Sequence, residues 1–105
     1  MRFGRRRRFG ELIQRQLDFF EEEQAGLLRD VSQAERAYDE ARRGEAEERY
    51  GDYVDIVETA TELLAGIRDA YAATLDEDTA AAYEDAFNRA VARRLPQFGL
   101  ELGER

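Results

Sequence analysis

The residues of this chain that could do chemistry fall into three groups. Arg5, Arg6, Arg7 and Arg8 stand in a row between two Phe-Gly pairs in the opening stretch MRFGRRRRFG. Glu21, Glu22 and Glu23 form the densest run of acid, and five tyrosines (Tyr38, Tyr50, Tyr53, Tyr71, Tyr83) complete the set. What is missing narrows the chemistry further. The chain has no histidine and no cysteine. That removes the commonest general base and metal ligand, any thiolate nucleophile and any disulfide.

Carboxylates in a helical bundle can hold two metal ions, but the pattern needs Glu-x-x-His on two helices and side chains that face inward. Glu21, Glu22 and Glu23 flank a core position rather than occupy it, and they read as a solvated face. Four of the tyrosines, Tyr38, Tyr53, Tyr71 and Tyr83, fall on apolar faces at helical spacing, where they serve a core or an interface. No Ser-His-Asp set, P-loop or Gly-rich nucleotide loop is present. The expectation is a protein without catalysis, metal or cofactor.

The arginine block has more than one reading. Residues 1–8 carry five arginines and no acid, or +5; with a whole-chain charge of -8, the rest carries -13. A basic arm on an acidic body can contact nucleic-acid phosphates in a salt-dependent, sequence-independent way. It can lie on an anionic membrane surface with Phe3 and Phe9 as shallow anchors. It can also pair with carboxylates of its own chain or of a partner, and the acidic body, which repels polyanions, favours this last reading. The Asp76-Glu77-Asp78 turn is the nearest acid cluster the fold would bring to the arm.

RRRRF resembles the Arg-Arg-x-Phe of a twin-arginine export signal, which must be followed by ~7–15 apolar residues. The continuation GELIQRQLDFFEEE is interrupted by Glu11, Gln14, Arg15, Gln16 and Asp18, so no signal is expected. No window approaches the ~20 apolar residues of a membrane span. A soluble, cytoplasmic protein is expected.

The elements that must position these residues follow from hydrophobic period. Ile13, Leu17, Phe20, Gln24, Leu27, Val31, Ala34, Tyr38 and Ala41 step by 4 and 3 without a break, a heptad seam with Gln24 as its one polar member, there to fix register. They predict a helix over residues 9–43, with a mild bend at Gly26 and a glycine stop at Gly44. Tyr53, Val57, Ala60, Leu64, Ile67, Tyr71 and Thr74 repeat the spacing and predict a helix over 46–74, widened by a second row at Ile56, Leu63 and Ala70. Asp76 caps a third helix over 77–95, with Tyr83, Phe87, Val91 and Leu95 inward and Pro96 as its end. The alternating Phe98, Leu100 and Leu102 predict an extended tail over 96–105.

The fold expected is all-α: an up-down-up three-helix bundle built on a long helical hairpin, with a basic arm (1–8), one helical domain (9–95) and a short tail (96–105). A third helix of ~27 Å covers only about half of such a hairpin. The Gly44 end is left bare, displaying Val31, Tyr38, Tyr50, Tyr53, Val54 and Ile56. A contiguous apolar patch of that kind marks an interaction surface, unless the tail 97–105 folds back over it. The function expected is a non-catalytic interaction or structural protein, a homodimer through that end or the partner of another protein. The alternative is a nucleic-acid-associated factor that contacts phosphates through Arg5 to Arg8.

Overall fold

The 4-and-3 spacing of the apolar residues is realised as helix over nearly the whole chain. The computed structural model describes the backbone of residues 2–103 and the side chains of residues 9–99. Among the described residues every regular element is α-helical: α1 (Arg2–Glu23), α2 (Ala25–Asp39), α3 (Ala46–Ala72), α4 (Glu77–Arg94) and α5 (Pro96–Gly103). There are thus five helices, not three, and the differences have identifiable causes.

The first expected helix is broken at Gln24, whose φ of -110° and ψ of 28° leave the helical range. The Gln24 N–H still reaches the Phe20 carbonyl at 2.8 Å, and the Leu28 N–H reaches the Gln24 carbonyl at 2.9 Å. The heptad seam therefore continues across the break while the axis is interrupted. Gln24 is the break point of the seam as well as its polar member, two positions before the expected bend at Gly26, where helix is costly. α1 also begins at Arg2 rather than Phe9, so the backbone of the arginine block continues the helix. Each cation in the first turn of a helix costs about 0.3–1 kcal/mol, so the helix runs through the arginine block against the dipole rule.

At the other end α2 stops at Asp39, short of Arg43. The turn that follows is held by the Ala41 N–H to the Tyr38 carbonyl (3.1 Å) and the Glu45 N–H to the Arg42 carbonyl (2.8 Å). No described glycine has positive φ, so Gly44 is not the left-handed stop its place after two arginines suggested.

α3 and α4 match expectation closely. Asp76 caps α4 by accepting from the Thr79 N–H and the Thr79 hydroxyl, both at 2.9 Å. Pro96 ends α4, forcing Leu95 out of helical geometry to φ -131° and ψ 64°. It then opens α5, since proline suits the first position of a helix. The extended tail is thereby overturned: Leu95 and Phe98 form one buried side, and Phe98 is fully buried. A Cβ on Gly99 would lie 2.6 Å from the Ala92 Cα, so only glycine lets α5 fold back on α4 this closely.

Contacts fix how the helices run. The Phe9 ring meets Tyr83 at 5.6 Å and Tyr71 meets Tyr83 at 4.8 Å. Arg94 of α4 donates to both Glu21 carboxylate oxygens (3.1 and 3.0 Å), to Asp18 (2.6 Å) and to the Gln14 side-chain oxygen (2.8 Å). α1 and α4 are thus side by side and parallel. Arg68 of α3 donates to Asn88 of α4 at 3.0 Å, which with the Tyr71–Tyr83 contact sets α3 antiparallel to α4. The core of Ile13, Leu17, Phe20, Leu64, Tyr83, Phe87, Val91 and Phe98 lies in this half, where α1, the C-terminal part of α3, α4 and α5 meet. The molecule is elongated, 55 × 25 × 22 Å.

Candidate interaction surface

The half without α4 and α5 is the pair α2–α3 alone. Val31 is the one buried residue of α2, and α3 buries nothing before Val57. A two-helix layer has a seam but no interior, so large side chains that flank the seam stay in solvent.

The six residues expected there divide three ways. Val31 is 3% exposed and belongs to the same buried cluster as Val57, so it fills the seam instead of being displayed. Its heptad position points it at α3, and a residue that closes the hairpin is not free for a second partner. Tyr38 and Tyr50 are 40% and 51% exposed. Their rings meet across the helix pair at 5.3 Å with planes inclined by 54°. Tyr53 and Val54 follow Tyr50 by three and four positions on α3, which continues that side, and both are half-buried. Ile56 faces away from them: it lines a shallow groove of about 490 Å³ with Ala34 and Ala37 of α2 and with Asp30, Asp52 and Asp55. The tyrosine side thus comprises Tyr38, Tyr50, Tyr53 and Val54, while Ile56 belongs to the acidic opposite side.

The electrostatics of the tyrosine side are negative. Burial pushes the Tyr53 phenol above its ordinary range, and the nearby carboxylates of Glu35 and Asp39, with Tyr50, add to that. Residues 30–58, counted over both sides of the helix pair, hold ten acids against four arginines, a net of -6. Aromatic faces bordered by carboxylates form a surface that attracts a cation twice over, through the ring quadrupole and through charge.

Two large exposed hydrophobics fell outside the sequence expectation. Phe19 is 60% and Leu63 39% exposed. Leu63 belongs to the second apolar row of α3, which was legible; Phe19 adjoins Phe20, and the 4-and-3 seam, which takes Phe20 inward, already leaves Phe19 outside.

A half-open groove of about 760 Å³ also runs between α1 and α4, over Phe9, Ile13, Ala86 and Ala90. Of its polar lining residues, Gln14, Asp78, Asp85, Arg89 and Arg93 are exposed and Thr79 and Arg94 half-buried; Thr79 bonds the Asp76 cap and Arg94 the α1 carboxylates. Among the described residues no group of three or more acids, histidines or cysteines could hold a metal ion. No described buried side-chain nitrogen or oxygen lacks a hydrogen-bond partner. Glu21 does not stand free: it is held by Arg94 as part of the α1–α4 clamp. The side chains of Arg5, Arg6, Arg7 and Arg8, and hence their suggested contact with the Asp76–Asp78 turn, lie outside the described residues.

No described helix is long and apolar enough to cross a membrane. No protein-family model matches the chain, no curated protein matches it, and no solved structure matches its fold.

Proposed function

We propose that this chain is a non-catalytic helical interaction protein of the cytoplasm that self-associates through the α2–α3 end. In this reading the molecule is an up-down-up bundle whose short third limb leaves half of the long hairpin uncovered. The observation that carries it is the Tyr38–Tyr50 pair, two half-exposed rings in contact, continued by Tyr53 and Val54. Tyrosine supplies large contact area at low entropic cost and is enriched at interfaces. A second copy is the partner always present at equal concentration, and a twofold assembly lets both copies engage the same face.

The test is a substitution that adds charge without touching the core. Tyr50→Glu should convert a dimer to a monomer in light scattering coupled to gel filtration, with helical circular dichroism retained. A wild-type chain that elutes as a monomer at micromolar concentration defeats the reading.

The phosphate-binding alternative rests on Arg5 to Arg8 alone and works against a body of -13. Its mark is nucleic-acid binding that weakens with salt and disappears with Arg5–Arg8→Gln.

A further inference from the structure

We propose that the tyrosine face of one copy receives the arginine block Arg5–Arg8 of a second copy, so that two chains pair side by side and antiparallel. This rests on the self-association reading above and names the ligand of that face.

The chemistry of the two parts matches. Tyr38 and Tyr50 expose their rings at 40% and 51%, with Glu35 and Asp39 on the same side of α2. Guanidinium stacks on aromatic rings and pairs with carboxylates at once, and it does so better than an ammonium because it is planar and weakly hydrated. The chain supplies such a ligand at +5 over residues 1–8, and the carboxylates of Glu35 and Asp39 beside Tyr53 to receive it.

Reach assigns the ligand to another copy. The Phe9 ring is anchored at Tyr83, beside Tyr71. Along α3, Tyr71 and Tyr50 are separated by 21 residues, about 31 Å of helix. From Phe9 back to Arg5, even a fully extended chain spans only about 14 Å, and α1 carries these residues along its own axis instead, past Phe9 and away from α2. A chain cannot place its arginine block on its own tyrosines. In a molecule 55 Å long, with the arm at one end and the face at the other, a twofold axis across the middle brings each arm to the partner's face. Both contacts form together and the assembly closes.

A charge swap on the full-length chain tests this. One variant carries Glu35→Arg and Asp39→Arg; the other carries Arg5→Glu, Arg6→Glu, Arg7→Glu and Arg8→Glu. All six positions lie outside the described core, and circular dichroism checks that each variant stays helical. Each alone should associate at least tenfold more weakly than wild type by sedimentation velocity in about 50 mM salt. Mixed in equal amounts they should form a heterodimer, because a native arm meets a native face on one side and a reversed arm meets a reversed face on the other. Wild type should itself weaken at least tenfold at about 500 mM salt. If the reversed-arm variant dimerises like wild type, or the mixture stays monomeric while wild type dimerises, the arm is not the ligand, though self-association stands. If wild type is monomeric at both salts, the self-association reading fails as well.

Discussion

Tyr83 shows how one residue holds the covered half together. Its ring touches Phe9, Tyr71 and Phe87, and its hydroxyl donates to the Gln16 side-chain oxygen at 2.8 Å. Burial raises its pKa from 10.0 to about 12. Between those values the native chain keeps a proton that the unfolded chain has lost. The stability this contributes is full below pH 10 and is lost as the pH rises towards about 12, a change on the order of 2 kcal/mol. Tyr83→Phe should flatten that part of the urea-midpoint profile between pH 9 and 12; an unchanged slope would show that Tyr83 titrates as it does in water. Arg68 is the other residue-scale case. Its buried guanidinium is satisfied by Asp69 at 2.9 Å and Asn88 at 3.0 Å. Asn88→Ala strips one acceptor from a buried cation and should cost about 1–3 kcal/mol in denaturant unfolding. A loss below a few tenths would mean that water replaces the amide.

Among the elements, α5 is the one whose existence depends on a single position. Gly99 sits against the Ala92 backbone with no room for a methyl group. Gly99→Ala should destabilise by about 1–3 kcal/mol, read as a lowered melting temperature, whereas an exposed helical glycine would gain from the same change. A stabilised Gly99→Ala would place α5 elsewhere. This helix was hidden in the sequence because Phe98, Leu100 and Leu102 alternate like a strand, while Leu95, Phe98 and Leu102 step by 3 and 4 like a helix. The pattern supports both readings, and Pro96 ends one helix as readily as it begins another. α3 and α4 were legible because their seams are long and Asp76 is an unambiguous cap. The break at Gln24 was not, since a 4-and-3 seam records which side is apolar and not whether every backbone bond survives. The true signal was a polar residue in the seam two positions before a glycine.

At the scale of the molecule, unequal helix lengths make one half a packed core and the other a bare pair. That inequality could be read from the sequence, and so could the two exposed tyrosines it produces. The division of the patch could not: Val31 packs into the buried cluster with Val57, while Ile56 lines the groove on the other flank of the α2–α3 seam. What remains is narrower and better defined than a general apolar patch: an aromatic face with an acidic border, on a chain whose arginine block belongs to the opposite end, beside the Asp76–Asp78 turn.

Sedimentation equilibrium of the unmodified chain across the micromolar range tests the central claim most directly. The chain has a mass of 12.1 kDa. Self-association through the α2–α3 face predicts an apparent mass that rises with concentration to twice that value and goes no further. A mass that stays at 12.1 kDa throughout would contradict it.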